Sequence, residues 1–191
     1  MTQPAVGLVQ AQDSTLVILD MQTQAAAALQ SSDFARVCRT VVTTVRAAEI
    51  LSVPIIYSEH YAPAAGVTDP RVKQVLPESA FRVQKSTHCA WSDDGFANAV
   101  EIAARRQVVI CGLQAHIGVM QTAIGMAGED YQVFVVADGT SSHDPTLAAI
   151  AIERMRASAV TITSCESLLY EWLEGGDPAS REHILSVLQE S

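Results

Sequence analysis

Two side chains in the sequence have the chemistry of a proton-transfer pair. Asp20 ends the apolar stretch STLVILD, and Lys85 lies in the stretch KSTHCAW. A carboxylate with apolar neighbours is partly desolvated, which favours its protonated form and suits proton transfer unless a cation keeps it ionised. Each residue also has an ordinary interpretation. Asp20 would cap the next helix, and Lys85 would be a solvated surface charge, which the sequence alone favours for a lone lysine.

The stretch GLQAHIG, residues 112–118, is a third place where chemistry is expected. It follows an apolar run and precedes a helical pattern, so its backbone N–H groups would face a ligand and favour an anion or a developing oxyanion. The alternative is a tight connection in which Gly112 and Gly118 only permit close packing. His116, between the glycines, is more often structural than catalytic.

Other polar or reactive side chains lie near these segments. His60 follows Glu59 at the end of a predicted strand and is expected to line a pocket. Cys89 lies four residues after Lys85 and is either a reactive thiol or, more simply, a small buried residue. The histidines lack convincing ligand spacing, and the four cysteines are scattered, so we expect neither a metal site nor a disulfide framework.

Apolar runs that alternate with helical patterns must position these residues. Parallel strands covered by helices on both faces read as continuous apolar runs. Such alternation predicts a mostly parallel sheet between two helical layers, with ligands bound beyond the carboxyl ends of the strands, where Asp20, His60, residues 112–118 and Asp138 lie. The predicted strands are 14–20, 53–59, 81–84, 107–112, 131–138 and 159–164, and the predicted helices are 33–48, 94–105, 116–129, 145 onward, 165–174 and an amphipathic helix at about 178–190.

Several helix ends carry recognisable signals. Ser32 is a candidate cap for the first long helix, and Asp93 or Asp94 for the next. Asp144 and Pro145 predict the start of another helix. Thr163 and Glu166 have the spacing of a capping box.

Length and composition limit the class of protein. The chain has 191 residues, of which 49 % are hydrophobic and 17 % charged, with a formal net charge of −9. We expect one domain over residues 1–191, no binding to nucleic acid or acidic membranes, and no membrane span. The N-terminus lacks the pattern of a secretory signal, so a cytoplasmic protein is expected.

Three motifs together resemble the isochorismatase-like hydrolase superfamily: VILDMQ, the lysine in KSTHCAW, and the long stretch VVICGLQAHIGVMQTAIGMAGEDYQVFVVADGTSS. The resemblance runs from about residue 14 to residue 174. It implies a Rossmann-like three-layer α/β/α sandwich with about six strands, and a homo-oligomer, either a dimer or a tetramer. No cofactor is implied.

The resemblance also implies roles for individual residues. Asp20 and Lys85 match the family's aspartate and lysine, and Gly118 stands where most members have a nucleophilic cysteine. Isochorismatases proper also lack that cysteine and have a similar turn, although Gln114 stands where they have tyrosine. A non-proline cis peptide near 113–114 is implied as well. The residues that would bind a small-molecule substrate are Gln114, Ala115, His60, Trp91 and Cys89.

The missing cysteine sets the functional expectation. Members that hydrolyse amides need the thiolate, whereas isochorismatases protonate a vinyl ether, which requires an acid rather than a nucleophile. The leading hypothesis is therefore a hydrolase of a small carboxylate-bearing, enol-ether-like substrate that forms no covalent intermediate. Asp20 would be the general acid, and Lys85 would orient it or hold the substrate's carboxylate. The alternatives are a catalytically silent scaffold descended from a cysteine hydrolase and a thiol hydrolase that uses Cys89.

Overall fold

A six-stranded, all-parallel sheet organises the chain. The structure is a computed structural model, and it describes residues 7–61, 65–174 and 177–189. The strand order is β3-β2-β1-β4-β5-β6. The chain therefore turns back between β1 and β4, and such a reversal leaves a crevice at the carboxyl ends of the two strands. The strands are β1 Ser14–Leu19, β2 Ile55–His60, β3 Phe81–Lys85, β4 Gln107–Leu113, β5 Gln132–Ser141 and β6 Thr161–Thr163.

Helices cover both faces of this sheet, so the predicted three-layer α/β/α architecture is confirmed. On one face the core includes residues of α2, α3, α7 and α8, and on the other face residues of α4, α5 and α6. Every residue of β1 and β4 is buried, as their continuous apolar patterns predict. The helices are α1 Thr23–Ala27, α2 Ser31–Ile50, α3 Pro70–Val75, α4 Asp94–Ala103, α5 Met120–Ala127, α6 Pro145–Ala157, α7 Cys165–Leu173 and α8 Pro178–Gln189.

Two of the predicted helix caps are present and two are wrong. Asp93 caps α4 by accepting from the N–H of Phe96, and Asp144 caps α6. The capping box at 163 and 166 does not form, because Ser164 caps α7 and accepts from the N–H of Ser167. Ser32 is not a cap either, since α2 already begins at Ser31.

Other boundaries shift modestly. The predicted strand 81–84 extends to Lys85, and β5 continues to Ser141, because a bulge lets Gly112 pair with Thr140. The last predicted helix is α8, with Ile184 buried against the core, and residue 190 lies outside the described ranges. No helix in the described part of the chain is both long and apolar enough to cross a membrane.

Candidate active site

An ion pair between Asp20 and Lys85 lies at the carboxyl edge of the sheet. The Nζ of Lys85 is 2.6 Å from Oδ2 of Asp20 and donates a second hydrogen bond to the carbonyl oxygen of Thr87 at 3.2 Å. Ser58 donates to the other carboxylate oxygen at 2.7 Å. The Lys85 side chain is fully buried, while that of Asp20 keeps 16 % exposure. The carboxylate therefore remains accessible to a small molecule, and the ammonium does not.

Three neighbouring strands bring these side chains together. Leu19 pairs with Ser58 across β1 and β2, and His60 pairs with Lys85 across β2 and β3. Because parallel strands end at the same edge, residues far apart in sequence meet there. Both ordinary interpretations are wrong: Lys85 is not a surface charge, and the Asp20 carboxylate binds Ser58 and Lys85 while Gln22, not Asp20, precedes α1.

The turn contains two glycines, Gly112 and Gly118, and the local structure around each is different. Gly112 has φ of 141°, and a Cβ there would lie 2.2 Å from the carbonyl oxygen of Leu19, so only glycine fits. A Cβ on Gly118 would instead lie 3.4 Å from the carbonyl oxygen of His88 and 3.5 Å from Oδ2 of Asp20. These are ordinary contact distances. A Cβ would therefore fit at 118 and would touch the Asp20 carboxylate.

The backbone is left-handed at two strand ends that border the site. Asp20, after β1, has φ of 51°, and Gln114, after β4, has φ of 57°. The other non-glycine residues with positive φ in the described ranges each follow a helix within three residues, where this conformation is common: Ser52, Ala104, Asp130 and Ala159. No cis peptide occurs within those ranges, so the expectation of one at 113–114 is wrong, and the left-handed Gln114 makes the turn instead.

The turn itself is a short π-helical segment, Ala115–Val119, that leads into α5. Ala115 and Gly118 are buried within it, and the carbonyl of Gln114 accepts from the N–H of Ile117 at 2.9 Å. The helix predicted from residue 116 therefore starts with a wider turn. This widening was not visible in the sequence, which has the same small-residue pattern for either kind of helix.

His116 contacts Ser142, the residue that follows β5, which the sequence analysis missed. Its Nδ1 lies 2.8 Å from the hydroxyl of Ser142, and its ring packs edge-on against His143. Burial lowers the pKa of His116, and repulsion from His143 adds to this, while Asp144 acts in the opposite direction. The hydrogen bond between His116 and Ser142 therefore ties the turn to the end of β5.

The remaining predicted residues fall into two groups. His60 is at the site: its backbone N–H donates to Gln22, and its ring stacks on that of His88, with centroids 5.1 Å apart. Cys89 and Trp91 instead lie against α5, where the sulfur contacts the carbonyl oxygen of Gln121 at 3.5 Å. Neither side chain has a hydrogen bond or ion pair with Asp20 or Lys85 among the described residues.

Two further expectations concern Asp138 and metal binding. Asp138 is predicted at the ligand-binding edge, but its carboxylate accepts from the N–H of Cys165 at 2.9 Å, in the first turn of α7, which Ser164 caps. Within the described ranges, no group of three or more His, Cys, Asp or Glu side chains is placed to hold a metal ion. Ser58, which borders the site, carried no motif signal, and only the strand register places it there. Gln22 and His88 lie within the motifs VILDMQ and KSTHCAW, but the sequence analysis did not single them out.

Comparison with known proteins identifies the family. The family model for the isochorismatase domain matches residues 14–167. Isochorismatase domain-containing protein 1 from Danio rerio is 28 % identical over 149 residues, which cover 75 % of this chain and 50 % of that protein. The secreted isochorismatase effector Isc1 of Phytophthora sojae is also 28 % identical, over 71 % of this chain and 67 % of that protein. The chain spans about half the length of the Danio rerio relative.

Solved structures share the fold. The MAR1 ribonuclease from Caenorhabditis elegans has a TM-score of 0.88 at 23 % identity and covers 96 % of this chain and 93 % of its own. The YcaC gene product from Escherichia coli, described as an octameric hydrolase of unknown specificity, has a TM-score of 0.86 at 20 % identity over 97 % and 92 % of the two chains. These structures show the shared fold, and the match of the family model over residues 14–167 shows that the chain belongs to the isochorismatase-domain family.

Proposed function

We propose that this protein hydrolyses a small, carboxylate-bearing enol ether, with Asp20 as general acid and no covalent enzyme intermediate. The observation that carries the proposal is the Asp20–Lys85 pair, 2.6 Å apart, next to a glycine whose Cβ would touch the same carboxylate oxygen. A reacting carbon in the volume beside Gly118 would be in reach of Asp20. A nucleophilic side chain at 118 is absent.

The reaction needs one proton to move to carbon and one to return. A proton passes from the Lys85 ammonium to the Asp20 carboxylate, and Asp20 donates it to the terminal CH₂ carbon of the substrate's CH₂=C(COO⁻)–O–R group, which forms a methyl group and an oxocarbenium ion. Water adds to the oxocarbenium carbon, and its released proton restores the Asp20–Lys85 ion pair. The resulting hemiketal collapses to pyruvate and the alcohol R–OH. Proton transfer by a positioned acid contributes about 10²–10⁴-fold to such a rate.

Lys85 would hold the Asp20 carboxylate in place as well as supply its proton. Its ammonium is fully buried and already bonded to Asp20 and to the carbonyl oxygen of Thr87. These contacts support a role in orienting the carboxylate rather than in holding a substrate carboxylate directly. Ser58 would fix the second carboxylate oxygen, so that Oδ2 is directed toward the volume beside Gly118.

The rest of the site would shape and bind the substrate. The backbone N–H groups of the turn around Gln114, Ala115 and Gly118 lie at the start of a helix, where an oxygen with partial negative charge is stabilised. His60, stacked on His88, would border the pocket on the other side. Trp91 and Cys89, whose side chains lie against α5, would help to shape the substrate pocket from the side of that helix.

The test is whether the purified protein releases pyruvate from isochorismate. The release is measured continuously with an assay coupled to lactate dehydrogenase. We expect the rate of pyruvate release to be proportional to enzyme concentration. Prior alkylation of the protein's thiols should leave this rate unchanged. If a folded protein at high concentration releases none, the isochorismatase activity is refuted.

A thiol hydrolase that uses Cys89 is the second enzymatic candidate. The other three cysteines are poor nucleophiles, because burial raises the pKa of Cys38 and Cys111 and raises that of Cys165 to about 11. Only Cys89 is partly exposed. Loss of the hydrolytic activity on alkylation, together with Cys89 as the modified residue by mass spectrometry, would favour this candidate.

A silent scaffold is the candidate from another class. It is supported by the absence of both the cysteine and the tyrosine at 118 and 114. The variant Gly118→Cys distinguishes it, because the thiol would lie against Asp20. A gain of thiol-dependent amidase activity would support descent from a cysteine hydrolase.

We further propose that the chain forms a homo-oligomer in the cytoplasm and takes a small molecule, not a nucleic acid or a membrane, as its partner. Support comes from the octameric YcaC neighbour, from the 49 % hydrophobic content and from the net charge of −9. Light scattering should give a mass that is a multiple of 20.4 kDa. A monomer at tens of micromolar would contradict the oligomer.

A further inference from the structure

A cavity between α2 and α3 is separate from the candidate active site. Its volume is about 580 Å³, which is within the range of sites that hold small ligands. Its lining combines arginine and aliphatic side chains, namely Arg39, Arg46, Ala35 and Val42 of α2 and Arg71 and Val75 of α3. The residues assigned above to the active site are not among those that line it.

The charge of this cavity is opposite to that of the molecule. The chain has 12 Lys and Arg against 21 Asp and Glu, which gives a formal net charge of −9. Three of the 12 cationic residues line this one cavity, and none of the described residues that line it is Asp or Glu. A concave surface with charge of one sign concentrates ligands of the other sign. The cavity is therefore expected to attract an anion.

Arg39 and Arg71 both have hydrogen-bond donors to offer to a ligand. Arg71 donates from Nε and Nη2 to Asp69 at 2.9 and 3.0 Å, and its Nη1 has no hydrogen bond within the described part of the chain. The guanidinium of Arg39 makes neither a hydrogen bond nor an ion pair with a described residue. Burial raises the pKa of the Cys38 thiol in the cavity lining, while Arg71 and Arg39 act in the opposite direction and Asp69 adds to the effect of burial. Both guanidinium groups therefore lie near the same part of the cavity.

The number of donors favours a phosphate group over a carboxylate. One arginine can pair with both oxygens of a carboxylate, as Arg71 does with Asp69. A phosphate monoester has three terminal oxygens and about two negative charges near neutral pH, so it can accept from guanidinium groups on two different helices. Arg39 on α2 and Arg71 on α3 have this arrangement.

The aliphatic part of the lining favours a ligand larger than inorganic phosphate. Ala35 and Val42 are partly buried on α2, and Val75 is partly buried on α3. Removal of a ligand's apolar surface from water contributes roughly 25 cal/mol per Å². A phosphate ester of a compact apolar alcohol would use both kinds of side chain.

A neighbouring cavity that shares Arg39 provides a contrast. Asp138 and Glu166 also line it, and Arg36 in its lining donates to the carbonyl oxygen of Asp138 at 2.7 Å. The two carboxylates would repel a dianion. The cavity between α2 and α3 is therefore the better site for a phosphate group.

We propose that the cavity between α2 and α3 binds a phosphate monoester of a small apolar or aromatic alcohol, with Arg39 and Arg71 as the contacts of the phosphate group. Ala35, Val42 and Val75 would contact the apolar part of the ester. The inference is independent of the reaction proposed at Asp20 and assigns the chain a second ligand site.

Calorimetry with phenyl phosphate, inorganic phosphate and phenol tests the proposal. Phenyl phosphate has both the phosphate group and an apolar ring, whereas each of the other probes has one of them. We expect one phenyl phosphate per chain, with a dissociation constant at least about tenfold lower than that of either other probe. The proposal is overturned if inorganic phosphate or phenol binds as tightly as phenyl phosphate, or if phenyl phosphate does not bind at millimolar concentration.

Arg39→Gln should raise the dissociation constant of phenyl phosphate at least about fivefold, because a charge-assisted hydrogen bond is lost. Arg154→Gln is the matched control, since Arg154 is an exposed arginine of α6 on the other face of the sheet. This control should leave the constant within about twofold of the wild type. Equal constants for the wild type and Arg39→Gln, or equal weakening in both variants, would contradict the proposal.

Two variants of Ala35 test the location of the ligand. Ala35 lines the cavity between α2 and α3 and is not among the described residues that line the neighbouring cavity. Ala35→Glu adds a carboxylate there, and Ala35→Gln adds an uncharged side chain of similar size. Both new side chains are good helix formers, so α2 should be retained. We expect phenyl phosphate to bind at least about fivefold more weakly to Ala35→Glu than to Ala35→Gln. Equal affinities would place the ligand elsewhere and overturn the proposal.

Discussion

Gly118 is the residue at which stability and activity are expected to separate. An alanine methyl there would lie 3.4 Å from the carbonyl oxygen of His88 and 3.5 Å from Oδ2 of Asp20, which is ordinary contact rather than a clash. Gly118→Ala should therefore fold, with a free energy of unfolding equal to or up to about 1 kcal/mol above that of the wild type. The methyl would occupy the volume proposed for the reacting carbon, so pyruvate release should fall at least about a hundredfold.

Gly125→Ala is the matched control for this substitution. Gly125 also lies on the helical segment after β4, and its added methyl would contact Trp91 and Cys89 rather than Asp20. Denaturant unfolding and the coupled pyruvate assay on both variants provide the check. If Gly118→Ala retains full activity, the volume beside Asp20 does not hold the substrate.

The environment of His116 predicts how the free energy of unfolding depends on pH. Its pKa is lowered from the ordinary 6.5, first by burial and then by repulsion from His143. The unfolded chain therefore binds a proton more readily, and the free energy of unfolding should decrease as the pH falls below about 6.5. The decrease stops once the pH is below the lowered value in the folded protein.

Urea unfolding at several pH values between 7.5 and 5 measures this effect. His116→Gln should reduce the slope of stability against pH in that range, because the titrating group is gone. His183→Gln, on the exposed side of α8, should leave the slope unchanged. Equal slopes for the wild type and His116→Gln would contradict the prediction.

At the scale of elements, the ends of β1 and β4 create the site by their backbone conformation. Asp20 and Gln114 adopt a positive φ directly after strands. A β-branched residue tolerates a positive φ least. Gln114→Gly should therefore match or exceed the wild-type free energy of unfolding by up to about 1 kcal/mol, while Gln114→Val should lower it by about 1–3 kcal/mol.

The same pair of substitutions at Gln121 serves as the comparison. Gln121 lies in α5, where valine is better tolerated than glycine, so the order of stability should be reversed. Thermal or denaturant unfolding of the four variants measures both orders. Valine at least as stable as glycine at position 114 would show that the left-handed conformation is not retained in solution.

The elements also show how far the sequence alone could lead. The apolar runs of β1 and β4 and the acids before α4 and α6 act through local chemistry, and these elements formed where expected. The burial of Lys85 could not be predicted in this way, because it depends on β2 lying between β1 and β3. The π-helical turn and the left-handed Gln114 depend on packing between strands, which leaves no periodic pattern in the sequence.

At the scale of the whole molecule, the strand order explains why one edge gathers the chemistry. The chain continues from β1 to β2 and β3 on one side and returns to β4 on the other. Asp20 and the turn with Gln114 and Gly118 therefore border the crevice where this reversal occurs, and Lys85 reaches the crevice from β3. The proposed chemistry thus depends on a charged pair that no single element could provide.

The most direct measurement of this account is kcat/KM for pyruvate release from isochorismate by Asp20→Asn compared with the wild type. Asparagine keeps an oxygen that can accept from Lys85, so the buried ammonium keeps a partner and the variant should fold, but it has no acidic proton to donate. We predict a loss of about 10²–10⁴-fold in kcat/KM. Because the substitution removes the negative charge beside a buried ammonium, it should also lower the free energy of unfolding by about 3–5 kcal/mol, so kcat/KM is measured at a temperature at which circular dichroism shows the variant to be folded. A folded Asp20→Asn variant with kcat/KM within a few-fold of the wild type would contradict the role of Asp20 as the general acid.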